Sequence, residues 1–170
     1  AAQASFTALC AAIADPEPLT ACARGERLEI LVPDAATLPT ARAALAGAGV
    51  LQARFHVIPF GDIWLRDTAP IFLRDRGGAL LAQCFEFNGW AEKYVLPHDD
   101  GVAEAVARAA EVPVLRAPLV LEGGSVEVDG AGTCLTTRQC LLHPGRNPRM
   151  QQEDLEAWLE EFLGVERMLW

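Results

Sequence analysis

Trp64-Leu65-Arg66-Asp67-Thr68-Ala69-Pro70 and Leu121-Glu122-Gly123-Gly124-Ser125 are two acidic stretches built alike. Glu122 falls 55 residues after Asp67. Each carboxylate opens an apolar run, and a glycine turn breaks each run about ten residues on: Gly77-Gly78, then Gly130 and Gly132. A sequence that returns a carboxylate to the same place in successive units can gather acids around one centre. Such a centre suits a small cationic ligand.

Working outward from Asp67, Ile63 to Leu73 reads as extended, Arg74-Asp75-Arg76-Gly77-Gly78 as a turn, and Leu80 to Phe87 as the returning strand of a β-hairpin. Asp99-Asp100-Gly101 offers an N-cap to a helix near 100–110 with Val102, Val106 and Ala109 on one face. Pro113-Val114-Leu115 follows as a short strand. The order repeats around Glu122. Leu119 to Val128 is extended, Asp129-Gly130 is a tight-turn pair, and Thr133 to Leu142 returns. A helix near 151–163 carries Leu155, Trp158, Leu159 and Phe162 at helical spacing; Gly164 caps it and a strand runs from Val165 to Trp170.

Helix starts thus recur about 52 residues apart and the strands after them about 53. A strand–strand–helix–strand module is used twice. Part of another precedes it: a helix over 2–14 through Phe6, Leu9, Cys10 and Ile13, ended by Asp15-Pro16-Glu17-Pro18. Leu28 to Val32 is then a strand, Pro33-Asp34 introduces a helix near 35–47 ended by Gly47-Ala48-Gly49, and Phe55 to Ile58 is a strand closed by Pro59. Repeats of this length indicate an array or propeller whose units bury their cores against neighbours. Residues 1–170 read as a single partial domain, truncated at both ends. The chain starts at Ala1 inside a helical pattern and stops on apolar Met168-Leu169-Trp170, an uncovered strand end that favours association between copies.

Composition narrows the function classes. Fourteen Lys and Arg against 23 Asp and Glu give a net charge of −9, which argues against nucleic acid and anionic membranes as partners. Focused in a cleft, that charge would draw cations inward; spread over the surface, it would serve solubility alone. Five cysteines without a CxxC pair fit free thiols in the cytoplasm better than a disulfide scaffold. No apolar run approaches the roughly 20 residues of a membrane span. His56, His98 and His143 show no metal-ligand spacing, so neither metal nor cofactor is expected.

Asp67 and Glu122 are the leading site candidates, because an unpaired carboxylate in an apolar run is costly to bury. A guanidinium donates two parallel hydrogen bonds to such an acid. The competing reading is an internal ion pair, for example of Asp67 with Arg66 or Arg138. Trp64 either walls a cleft by a cation–π contact or packs in the core. Gly123-Gly124 permits close ligand approach or marks a bulge, and Phe87-Asn88-Gly89-Trp90 contains either a site element or an ordinary Asn-Gly turn. Cys134 and Cys140 read as small apolar residues without an evident base.

Several segments together resemble the agmatine deiminase family, which includes the Porphyromonas-type peptidylarginine deiminases of the guanidine-modifying pentein superfamily. They are Asp62 to Pro70, Phe85-Glu86-Phe87-Asn88-Gly89-Trp90 with Lys93-Tyr94, Leu121 to Gly130, Gly132 to Thr137, Cys140-Leu141-Leu142 and Arg146-Asn147-Pro148. The resemblance implies an α/β propeller of five ββαβ modules, of which about two and a half are present. It makes Asp67 a carboxylate that grips the substrate guanidinium, Glu122 the acid that orients a catalytic histidine, and Trp64 a pocket wall. The implied reaction hydrolyses a guanidine through a cysteine adduct, with agmatine giving N-carbamoylputrescine on the way to putrescine. The family's Gly-His-Val-Asp-type segment and its distal nucleophilic cysteine do not occur within residues 1–170. On this reading the chain alone lacks activity. A peptidylarginine or arginine deiminase and a non-catalytic pentein-fold binding module are the alternatives. Ala69 stands where the family has glycine, which implies a tightened turn.

Overall fold

Proline and glycine punctuation sets most element boundaries in the computed structural model, which describes residues 2–17, 22 and 24–170. Ala1, where the chain starts, and Pro18, the last residue of the stretch expected to end the 2–14 helix, lie outside the described residues. The chain divides into two units, Ala1–Pro59 and Phe60–Trp170.

In the first unit, helix α1 (Ala2–Ala14) is followed by β1 (Glu29–Val32), α2 (Leu38–Gly47) and β2 (Arg54–Val57). β1 and β2 pair in parallel, with Glu29 opposite Arg54 and Val32 opposite Val57. The connecting helix α2 is introduced by Asp34, whose Oδ1 accepts from the Thr37 N–H at 2.7 Å. Gly49 leaves α2 at φ +79°, the left-handed conformation that glycine adopts without strain. The core joins Cys10 and Ala14 to Leu45 and Val50. The buried stripe of α1 is therefore rotated from the expected one: Phe6, Leu9 and Ile13 are exposed. Small residues at 10, 11 and 14 let the helix approach its partner closely, and the bulky ones turn outward.

The second unit contains the repeated module. A single helical turn, α3 (Leu65–Thr68), precedes β3 (Ile71–Arg74), which pairs antiparallel with β4 (Leu80–Glu86). A short turn α4 (Gly89–Glu92), a 3₁₀ turn at Asp99–Gly101 and helix α5 (Val102–Ala109) lead to β5 (Val114–Val120), parallel to β4. The second copy runs β6 (Val126–Val128), β7 (Thr133–Thr136), α6 (Arg138–Leu141), α7 (Gln152–Leu163) and β8 (Arg167–Leu169). β6 pairs antiparallel with β7, and β7 in parallel with β8. The order antiparallel hairpin, helix, parallel strand is thus the same in both sheets.

Six expectations change. Thr133 to Leu142 returns as strand only over 133–136 and is helical over 138–141, and Leu119 to Val128 is interrupted by a 3₁₀ turn at Gly123–Ser125. Ile63 to Leu73 is not extended throughout, since residues 65–68 wind into a helical turn and only 71–74 form strand. Pro113-Val114-Leu115 and the start of the Leu119 stretch are one strand, β5. It passes Pro118 at an irregularity, between the Cys84–Arg116 and Glu86–Val120 pairs, where the absent proline N–H costs no ladder bond. The buried face of α5 is Val102, Ala103 and Ala107 rather than Val102, Val106 and Ala109. Asp99 does not cap α5: its Oδ1 accepts from the Gly61 and Asp62 N–H groups at 2.7 and 3.2 Å.

The main core joins Leu119 and Leu121 to Leu141, Leu155 and Leu159, all buried. Burying such side chains stabilises by about 1.5–3 kcal/mol each. α7 begins in a capping box between Gln151 and Asp154 and ends at Gly164, φ +68°. This core fixes the Glu122 end of β5 from below. Among the described residues, no helix is long and apolar enough to cross a membrane.

Candidate functional site

Asp67 sits on α3, where its N–H donates to the Trp64 carbonyl at 2.9 Å. Pro70 ends the turn by holding the preceding Ala69 in extended backbone, φ −80° and ψ 161°. Any residue adopts that conformation, so Ala69 in place of glycine does not strain or tighten the turn. The turn is half of a contact whose other half is Gly123-Gly124. A Cβ at Gly123 would overlap the Arg66 carbonyl oxygen, and a Cβ at Gly124 would overlap Asp67 Oδ1. The glycine pair thus serves close approach between chain segments, and it brings the Glu122 segment to the Asp67 segment.

Both oxygens of Asp67 are held by neutral donors. Oδ1 accepts from the Gly124 N–H at 3.0 Å, and Oδ2 from the Trp90 indole N–H at 3.0 Å. No Lys, Arg or His among the described residues lies within 4.0 Å of it, so the proposed pairing with Arg66 or Arg138 does not form. The carboxylate is half-buried, oriented and uncompensated. Trp64 is 56% exposed and packs in none of the cores formed by the described residues.

Glu122 is different. It is 2% exposed and is gripped by Arg146, whose Nε lies 2.9 Å from Oε1 and 2.7 Å from Oε2. Arg146 Nη1 also donates to the Cys140 carbonyl at 3.1 Å. Burial of both charges requires this kind of pairing, and removing one partner of such a pair typically costs about 3–5 kcal/mol. The Glu122 carbonyl accepts from the Ser125 N–H and Oγ–H at 2.8 and 2.6 Å, and Thr136 Oγ1 donates to the Ser125 carbonyl at 2.7 Å. Those bonds fix the 3₁₀ turn that follows the acid.

Trp90 reaches Asp67 from an unusual backbone. Gly89, Trp90, Ala91 and Glu92 all have positive φ, between 58° and 73°, making α4 one turn of left-handed helix. Three of these are not glycine, and each such residue costs about 1–2 kcal/mol in that region. Asn88 offsets part of the cost by accepting from the Ala91 N–H at 3.0 Å, while its Nδ2 donates to the Gly145 carbonyl at 2.8 Å. The Asn-Gly pair is therefore no ordinary hairpin turn. Sequence reasoning left Asn88 and Trp90 open between a site element and an ordinary turn, and it missed Arg146. Their one signal was position inside the segments Phe85 to Trp90 and Arg146 to Pro148.

Burial raises the thiols of Cys84 and Cys134 above their ordinary range, which disfavours the nucleophilic thiolate form. Cys140 contributes its carbonyl rather than its thiol. Among the described residues, no group of His, Cys, Asp or Glu side chains is arranged to hold a metal ion.

Comparison with known proteins identifies the family and the fold. Residues 1–170 match the family model of the Porphyromonas-type peptidyl-arginine deiminases. The agmatine deiminase of Stutzerimonas stutzeri is 38% identical over 177 residues, covering 99% of this chain and 44% of that protein. That of Pseudomonas aeruginosa is 36% identical over 175 residues, with the same coverage of each. The structure of the Enterococcus faecalis agmatine deiminase superposes with a TM-score of 0.84 at 31% identity, over 99% of this chain and 44% of that one. The chain spans less than half the length of these relatives. Its fold is that of an α/β propeller protein of the pentein class, of which this is part. The chain belongs to the Porphyromonas-type peptidyl-arginine deiminase family.

Proposed function

We propose that the full-length protein is a guanidine hydrolase of the agmatine deiminase type, in which Asp67 receives the substrate guanidinium. One observation carries this reading: the Asp67 carboxylate is oriented by two neutral N–H groups and has no cation within 4.0 Å among the described residues. Remaining lone pairs on both oxygens match the parallel donors of a guanidinium. The exposed Trp64 ring adds a cation–π face worth about 0.5–2 kcal/mol.

In the proposed reaction a cysteine thiolate forms a C–S bond to the guanidine carbon and the C–N bond breaks, the amine leaving as ammonia with a proton from a histidine. Water, deprotonated by the same histidine, then displaces the sulfur, so agmatine and water give N-carbamoylputrescine and ammonia. Asp67 keeps the guanidine cationic and in place, and Glu122 orients the histidine. Nucleophile and histidine are supplied from outside residues 1–170. The names of the relatives support agmatine over peptidyl-arginine as substrate, and the product would feed putrescine formation. The thiol-rich, acidic composition supports a cytoplasmic enzyme, and the exposed apolar residues support association between copies.

The test is a substrate panel of agmatine, arginine and peptidyl-arginine on the full-length protein. Agmatine is the expected substrate, and Asp67→Asn should lower kcat/KM by about 10³-fold or more, equivalent to several kcal/mol. An unaltered kcat/KM in that variant overturns the assignment. A second reading, a non-catalytic module with Glu122 as a purely internal ion-pair partner, is favoured by the contact of Arg146 with both Glu122 oxygens. No turnover of any substrate in the panel would support the module, whereas undiminished turnover in Glu122→Gln would leave Glu122 a purely structural ion-pair partner within an enzyme.

A further inference from the structure

The two acids are joined by a closed circuit of contacts within the second unit. Glu122 leads by two residues to Gly124, whose N–H donates to Asp67. Asp67 accepts from the Trp90 indole, Trp90 stands on the turn that Asn88 caps, and Asn88 Nδ2 donates to the Gly145 carbonyl at 2.8 Å. The next residue, Arg146, returns to Glu122. The closing loop is pinned again by Asn147, whose side chain donates to the Val120 carbonyl at 2.9 Å and accepts from the Val120 N–H at 3.1 Å. Gly145 also lies against Ala91: a Cβ at 145 would stand 2.8 Å from the Ala91 Cβ.

We infer that Arg146 and Asn88 are positioning residues, and that the loop His143–Pro148 is a brace that sets both carboxylates together. Without the guanidinium, Glu122 is a buried, uncompensated charge, so it must turn or take a proton. Gly123-Gly124 has no free space beside α3, so movement of Glu122 carries the Gly124 N–H away from Asp67. Loss of the Asn88–Gly145 bond releases the same circuit from the Trp90 side. The effect on turnover rests on the guanidine-hydrolase reading; the structural coupling does not.

Two readouts on the full-length protein, with indole ¹⁵N-labelled tryptophan, test the brace. Arg146→Gln should speed hydrogen exchange of the Trp90 indole about tenfold, although Arg146 does not touch Trp90. With agmatine, the same variant should lower kcat about 10- to 100-fold and leave KM within about threefold. Arg146→Lys, which keeps a buried cation and guards against loss of the fold, should recover part of both. Asn88→Ala combined with Arg146→Gln should lose no more than about threefold beyond the worse single variant, because the two act on one circuit. Unchanged Trp90 exchange in both Arg146 variants, or losses that multiply in the double variant, overturns the brace. If agmatine is not turned over while Trp90 exchange responds, the hydrolase reading fails and the brace stands. If agmatine is turned over and Arg146→Gln changes neither readout, the reverse holds.

Discussion

Gly124 lies so close to Asp67 that its N–H donates to Oδ1 at 3.0 Å and its Cα leaves no space for a side chain. The hydrogen bond and the missing methyl group are two aspects of one contact between segments far apart in sequence. Gly124→Ala should therefore displace Asp67, costing about 1–3 kcal/mol of stability. It should also lower kcat/KM for agmatine about 10²-fold in the full-length protein. Denaturant midpoints and steady-state kinetics read the two effects separately.

Trp90→Phe removes one N–H and keeps the aromatic bulk. A hydrogen bond to a charged group contributes about 1.5–3 kcal/mol, so kcat/KM should fall by about tenfold or more. Wild-type kinetics in this variant would show that the indole contact to Asp67 is incidental.

The left-handed turn carries Ala91 and Glu92 at φ 62° and 64°. Ala91→Gly and Glu92→Gly remove the Cβ strain of that region, against the greater unfolded-state entropy of glycine. Each should raise stability by about 0.5–1 kcal/mol, seen as a higher Tm. A lower Tm in both would mean that the turn is not strained as its angles indicate.

Asp99 is 1% exposed and holds the Gly61 and Asp62 N–H groups through Oδ1, while Oδ2 has no partner. Asp99→Ala leaves two donors unpaired and should cost about 1–3 kcal/mol. Asp99→Asn keeps the acceptor and drops the charge, so it should cost less. Equal losses in calorimetry would contradict this division of roles.

Glu104 on α5 accepts from Arg116 Nε on β5 at 2.6 Å, and this bond with Arg116 chiefly holds its carboxyl below the ordinary value of 4.5. Because the folded-state value is depressed, the tie stabilises fully above pH 4.5 and is lost as pH falls through the depressed value. Arg116→Gln should flatten that acid-side fall in Tm and leave the profile at neutral pH nearly parallel to wild type. An unchanged acid limb would remove the tie from the account. The side chains are well exposed, so the effect is small and sensitive to salt.

Much of the module was legible in residues 60–170 because its signals are local. The helical spacing of Leu155 and Leu159, Gly164 after them, and Asp129-Gly130 between β6 and β7 each act within a few positions. Asp67 and Glu122 were found as candidates for the same reason, each being an acid in an apolar run. What escaped depends on distant partners. One helical turn at 65–68 carries no periodicity, and its shape answers to Gly123-Gly124. Trp90, Ala91 and Glu92 carry no mark of positive φ, since glycine is the residue that announces it. Arg146 lies in a loop 24 residues from Glu122, where spacing says nothing of contact.

The parallel pairing of β7 with β8 also has a consequence during synthesis. Thr136 ends β7, and Arg167 opens the strand that covers its free edge 31 residues later. At about 5–20 residues per second, that edge emerges from the ribosome about 2–6 s before its partner. Through this interval the β6–β7 hairpin presents the unpaired backbone groups of β7 to other nascent chains. Slow codons between 137 and 166 would lengthen the exposure, so translation speed over α7 becomes a determinant of soluble yield.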